Sequence, residues 1–120
     1  MGKDQYIKIN ADKAEVQLEV LILESEASKI AYCPVLELST YGDLKEDIEK
    51  LFEENLEIFF EETCKNGTLE YELIRLNWKL IPGKYEPQEN SHKEPDKESG
   101  IITDRITFKH QFSIPVYCVA

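Results

Sequence analysis

Residues 30–62, IAYCPVLELSTYGDLKEDIEKLFEENLEIFFEE, decide how this chain folds. They read as the end of a strand over 29–33, a step at Pro34, a strand over 35–39, a Tyr41-Gly42 turn and a long helix. Proline has no N–H to give to a ladder, so Pro34 predicts a bulge or an unpaired edge position. Leu44, Ile48, Leu51, Phe52, Leu56, Phe59 and Phe60 recur at helical spacing and form one apolar stripe. Asp43 is placed to accept the free N–H groups of the first turn, with Glu46 three residues on as its capping-box partner. Asp47 and Glu49 add acidity at the positive end of the helix dipole. Lys65 in the last turn and Asn66-Gly67 after it predict the stop.

On the N-terminal side, Val16, Leu18, Val20 and Ile22 alternate with Gln17 and Glu19 before Leu21 and Leu23 fill the second face. This predicts a strand over 15–24, covered on both faces in its second half. A hairpin loop over 24–28 follows. Residues 1–14 are polar and mixed in charge, which predicts a loose lead-in with a short strand at 6–9.

Past Gly67, Leu69, Leu73 and Leu76 predict a short inward-facing helix over 68–76, with Thr68 as its cap. Residues 77–81 read as a short strand, and Trp78 as a core plug rather than a stacking platform. Residues 82–100, PGKYEPQENSHKEPDKESG, carry Tyr85 as their only large apolar-bodied side chain and predict a mobile loop. The final strand spans 101–119, with Ile106, Phe108, His110, Phe112, Ile114 and Val116 on one face and Thr107, Lys109, Gln111 and Ser113 on the other. Pro115 puts its end at an edge or bulge. The fold class is therefore α+β. One domain over 1–120 is expected, an antiparallel sheet with a β-β-β-α core, a short helix and further C-terminal strands, and one long helix packed on one face.

A chain of 120 residues buries roughly two-thirds of its unfolded surface, enough for one core without staples. Its net charge of −10, from 24 acidic and 14 basic side chains, argues against direct nucleic-acid binding, which needs a positive face. It suits a basic protein partner, since opposite fields raise the on-rate. The longest apolar run, over 116–120, cannot span a bilayer, and residues 1–10 hold no basic-then-apolar leader, so the expected location is cytoplasmic. The three cysteines, Cys33, Cys64 and Cys118, share no metal-ligand spacing and are expected to be reduced, buried thiols.

No catalytic set, cofactor site or metal site stands out. His92 falls in the expected loop, and His110 on an apolar strand face reads as a satisfied core or interface histidine. No nucleophile elbow or phosphate-cradling glycine loop is present in the sequence. Asp43, Glu46 and Asp47, with Glu24, could in principle hold a divalent ion, but Lys50 follows on the same face and breaks the cluster. Glu53, Glu54, Glu57, Glu61 and Glu62 follow the solvent side of the stripe, a solvated face by default. Glu53, Glu54, Glu57 and Glu61 are the candidate partner-binding residues. The final strand, with one apolar face, predicts a homodimer through strand edges.

Ala31, Tyr32, Pro34, Leu36, Gly42, Asp43, Glu46 and Asp47, followed by Leu56, Ile58, Phe59 and Phe60, resemble the pattern of the HicB family of antitoxins over residues 15–62. The chain has Leu44 where the family often has threonine, and Ile48 where it usually has alanine. The family's separate C-terminal helix-turn-helix or ribbon-helix-helix has no counterpart after Gly67. The resemblance implies a partial ribonuclease-H-like fold without the catalytic carboxylates. It implies a non-enzymatic role, binding a small, basic, RNA-cleaving HicA toxin and blocking its active site. The alternatives are a scaffold or small-ligand binding domain that kept the fold without a toxin, and a hydrolase using helix and strand carboxylates with a metal.

Overall fold

The computed structural model describes residues 5–10, 13–45, 47–81, 84–88 and 101–113. Its organising element is the long strand β2 (Lys13–Glu24), preceded by β1 (Tyr6–Asn10). Ala14, Val16, Leu18, Val20 and Ile22 alternate onto one face of β2 and are all buried. A strand this long extends about 40 Å, enough for two neighbours on one edge. Residues 13–17 pair with β1, and residues 21–24 pair with β3 (Ser28–Cys33). The opposite edge is taken along its whole length by β7 (Ile101–Ser113). Outward from β3 lies β4 (Leu38–Asp43), and outward from β1 lie β6 (Lys84–Pro87) and then β5 (Trp78–Ile81). Every one of these pairings is antiparallel.

Helix α1 (Ile48–Asn66) lies on the face carrying the even-numbered β2 residues, and the shorter α2 (Leu69–Arg75) follows it. Ile48, Phe52, Leu56, Phe60 and Cys64 of α1 enter the same core as Phe108 and Phe112 of β7. Phe52 meets Phe108 edge-on at 5.2 Å, and Phe60 meets Phe112 at 5.7 Å between ring centroids. Each such side chain contributes about 1.5–3 kcal/mol by leaving water. Trp78, Leu69, Leu73 and Leu76 close one end of that core, and Trp78 Nε1 donates to Val35 O at 2.7 Å. The α+β class, the antiparallel sheet and the single long helix on one face are thus as the sequence predicts. Leu21, Ile22 and Leu23 are all buried, so the second half of β2 is covered on both faces.

Several boundaries differ, each for a local reason. Residues 34–37 form a tight turn rather than the start of a strand: Leu36 N donates to Cys33 O, Glu37 N donates to Pro34 O, and Glu37 takes a left-handed φ of 51°. Pro34 therefore opens the β3–β4 turn and is not an edge bulge. The ladder between β3 and β4 then runs on to Ser28↔Asp43, which holds Asp43 in the sheet. The helix starts later, with Asp47 as its cap, accepting from Lys50 N at 3.3 Å. Asp43 instead accepts from Lys45 N at 2.9 Å, Leu44 is exposed, and Glu46 lies outside the described residues. The predicted stop holds: Gly67, at φ 68°, returns its N–H to Cys64 O. Thr68 makes no side-chain cap bond.

The short strand expected at 6–9 is present, and it ties the described part of the lead-in to the sheet. Residues 6–10 form β1, and Ile7 is fully buried. The segment expected as a mobile loop contributes β6, whose Tyr85 pairs with Ile7 and Leu80. Residues 82, 83, 89–100 and 114–120 lie outside the described residues, and with them His92, Pro115, Cys118 and the expected end of the last strand. Cys33 is a free, fully buried thiol, and burial pushes its pKa up to about 12. Cys64 departs from the expectation of reduced thiols, for it is disulfide-bonded.

Candidate functional site

The long helix presents four different surfaces, and its glutamates divide among them. Its buried face is the stripe already described. One flank faces β4, where Asn55 Nδ2 donates to Ser39 O at 3.2 Å and to Thr40 Oγ1 at 2.9 Å. The opposite flank faces β7. There Glu53 Oε1 lies 3.1 Å from His110 Nδ1, and Glu57 Oε1 lies 4.0 Å from His110 Nε2. The outward surface carries Glu54, Ile58, Glu61 and Glu62, all exposed.

The helical period explains this division. Glu53 and Glu57 are four apart, so both lie on one side of α1. Asn55 is two residues from each, on the other side. Ile58 is four residues from Glu54 and Glu62 and three from Glu61, so those three carboxylates surround it on the helix surface. Its side chain is 55% exposed, although the residue is as apolar as those in the core. Tyr41, Leu44, Tyr71, Ile74, Leu80 and Ile101 are the other large apolar side chains exposed among the described residues.

Of the four predicted partner-binding residues, Glu54 and Glu61 are on the outward surface, while Glu53 and Glu57 turn to His110. His110 is satisfied as expected, but by carboxylates across a helix–strand seam. Its ring also packs edge-on to Phe112 at 4.6 Å and tilted against Phe108 at 5.8 Å, its neighbours on the strand face. The sequence carries half of this signal in the spacing of Glu53 and Glu57. The other half, that β7 lies beside that flank, is a contact 53 or more residues away in sequence and has no local signature. Near the start of the seam an open groove of about 430 Å³ is lined by Asp47, Lys50, Glu53, Thr107, Phe108 and Lys109, among others.

Among the described residues, His110, Glu53 and Glu57 are the one cluster of potential metal ligands, and the Asp43, Asp47 and Glu24 set is not brought together. Among the described residues, no helix is long and apolar enough to cross a membrane. The chain matches no family model, no curated protein and no solved structure.

Proposed function

We propose that this chain is a HicB-like antitoxin, or an orphan relative of one, which acts without catalysis by binding and masking a small, basic ribonuclease toxin in the cytoplasm. The observation that carries this reading is the outward surface of α1, with Ile58 exposed inside a ring of Glu54, Glu61 and Glu62. A carboxylate rim steers a cationic partner inward and fixes its register. An apolar centre supplies the water-excluding contact that holds it. The net charge of −10 adds long-range attraction to any basic surface.

The reading also includes a homodimer. Among the described residues β7 pairs with β2 alone, so its second edge carries no strand there. Light scattering of the purified chain is expected to give twice the monomer mass.

Co-expression with a small basic reading frame, where one lies beside this gene, tests the reading. The expected result is a complex that co-purifies at low salt, weakens as salt rises, and suppresses RNA cleavage by the partner. Failure of the two chains to associate under any salt condition would overturn the toxin-masking reading.

A further inference from the structure

We propose that Glu53, Glu57 and His110 form a binding site for a divalent transition-metal ion of the zinc class. This goes beyond the masking reading and stands whether or not a toxin partner exists. Each residue offers one ligand atom, and the three atoms lie within 4.8 Å of one another. Two of them are already spaced as metal ligands are. Atoms held at about 2.1 Å around one ion lie roughly 3.0–3.4 Å apart, and His110 Nδ1 stands 3.1 Å from Glu53 Oε1. The third ligand, Glu57, lies 4.0 Å from the ring's other nitrogen, Nε2, and its side chain is 52% exposed, so a rotamer change brings it toward Nδ1 and Glu53 without moving the backbone.

The elements bearing the ligands are pinned on both sides of the cluster. Phe52, one residue before Glu53, packs on Phe108, and Phe60, three after Glu57, packs on Phe112. Phe108 and Phe112 are in turn the two strand neighbours that flank the His110 ring. Side chains locked by packing on rigid elements are what a preorganised metal site needs. The donor set selects the ion class. One imidazole nitrogen with two carboxylate oxygens suits zinc and its first-row neighbours, whereas calcium and magnesium favour all-oxygen shells. Two carboxylates with a neutral imidazole also cancel the charge of a divalent ion. Cys33 does not compete as a ligand, because burial holds it as a thiol.

The test is calorimetric titration of the tag-free, chelator-treated full chain with zinc chloride, together with thermal melts. A single zinc is expected to bind per chain and to raise the melting temperature. Glu57→Gln, at an exposed helix position that leaves the fold intact, is expected to weaken binding at least about tenfold, the scale on which even outer-shell partners act. His110→Gln is expected to abolish binding, and His92→Ala to leave it unchanged. Circular dichroism of each metal-free variant separates loss of binding from loss of fold. Zinc binding that is absent, or equal in wild type, Glu57→Gln and His110→Gln, would overturn the proposal and leave the cluster as an ion-paired seam.

Discussion

The two flanks of α1 are held to the sheet by opposite kinds of chemistry. On the β4 side a neutral amide, Asn55, donates to a backbone carbonyl and a threonine hydroxyl. On the β7 side two carboxylates face an imidazole. The neutral flank has a fixed partner set and does one thing: it orients the helix on the edge of the sheet. The charged flank is the one proposed above to take a divalent ion. The outward surface between the flanks, with Glu54, Ile58, Glu61 and Glu62, is exposed. One helix thus presents a neutral flank, a charged flank and an exposed outward surface, separated by angle around its axis.

That separation can be broken by experiment. The largest effect belongs to the buried face. Phe52→Ala removes the ring that packs on Phe108 and is expected to cost about 3–5 kcal/mol in urea unfolding. A loss under about 1 kcal/mol would mean that α1 is not pinned at this point. Next comes the neutral flank. Asn55→Ala deletes two hydrogen bonds at a part-buried site and is expected to cost about 1–2 kcal/mol. Glu53→Gln on the charged flank is expected to cost only about 0.2–1 kcal/mol without metal, because both partners are near one-third exposed and water screens the pair. If Glu53→Gln proves the more costly of the two, the assignment of structure to one flank and exchangeable chemistry to the other is wrong.

The start of the helix gives a sharper contrast. Asp47→Ala loses the cap and is expected to cost about 1 kcal/mol. Asp43→Ala, at an exposed turn, is expected to stay within about 0.5 kcal/mol. Smallest of all is the outward surface, where Ile58→Asp is expected to leave stability within about 0.5 kcal/mol.

The same contrast explains what could be read from the residues in order. Alternation in Val16, Leu18, Val20 and Ile22, the stripe from Ile48 to Phe60 and the stop at Gly67 are local patterns, and each gave the right element. Structure and local pattern part where a longer-range force overrides a local one. Asp43 has the chemistry of a cap, but the ladder from Ser28 to Asp43 retained it in the sheet and passed the role to Asp47. Val35 and Leu36 look like strand residues, yet Pro34 and a left-handed Glu37 make them a turn whose side chains still reach the core. Residues 84–87 look like loop because their apolar content is low. They become a strand because the backbone of β5 and Ile7 of β1 offer pairing on both sides. The candidate site was half legible. Glutamates on the helix were visible as acidic positions, but their division between His110 and solvent depends on where β7 lies.

In the reading proposed above, the outward surface of α1 is the one that meets the partner. Calorimetry between this chain and a small basic protein, where one is encoded beside it, is the direct test, with wild type compared against Ile58→Asp and the double variant Glu54→Lys, Glu61→Lys. The account predicts salt-sensitive binding for wild type and a loss of at least about 2 kcal/mol, the threshold of an interface hot spot, for each variant at unchanged fold. Equal affinity for all three proteins would contradict it.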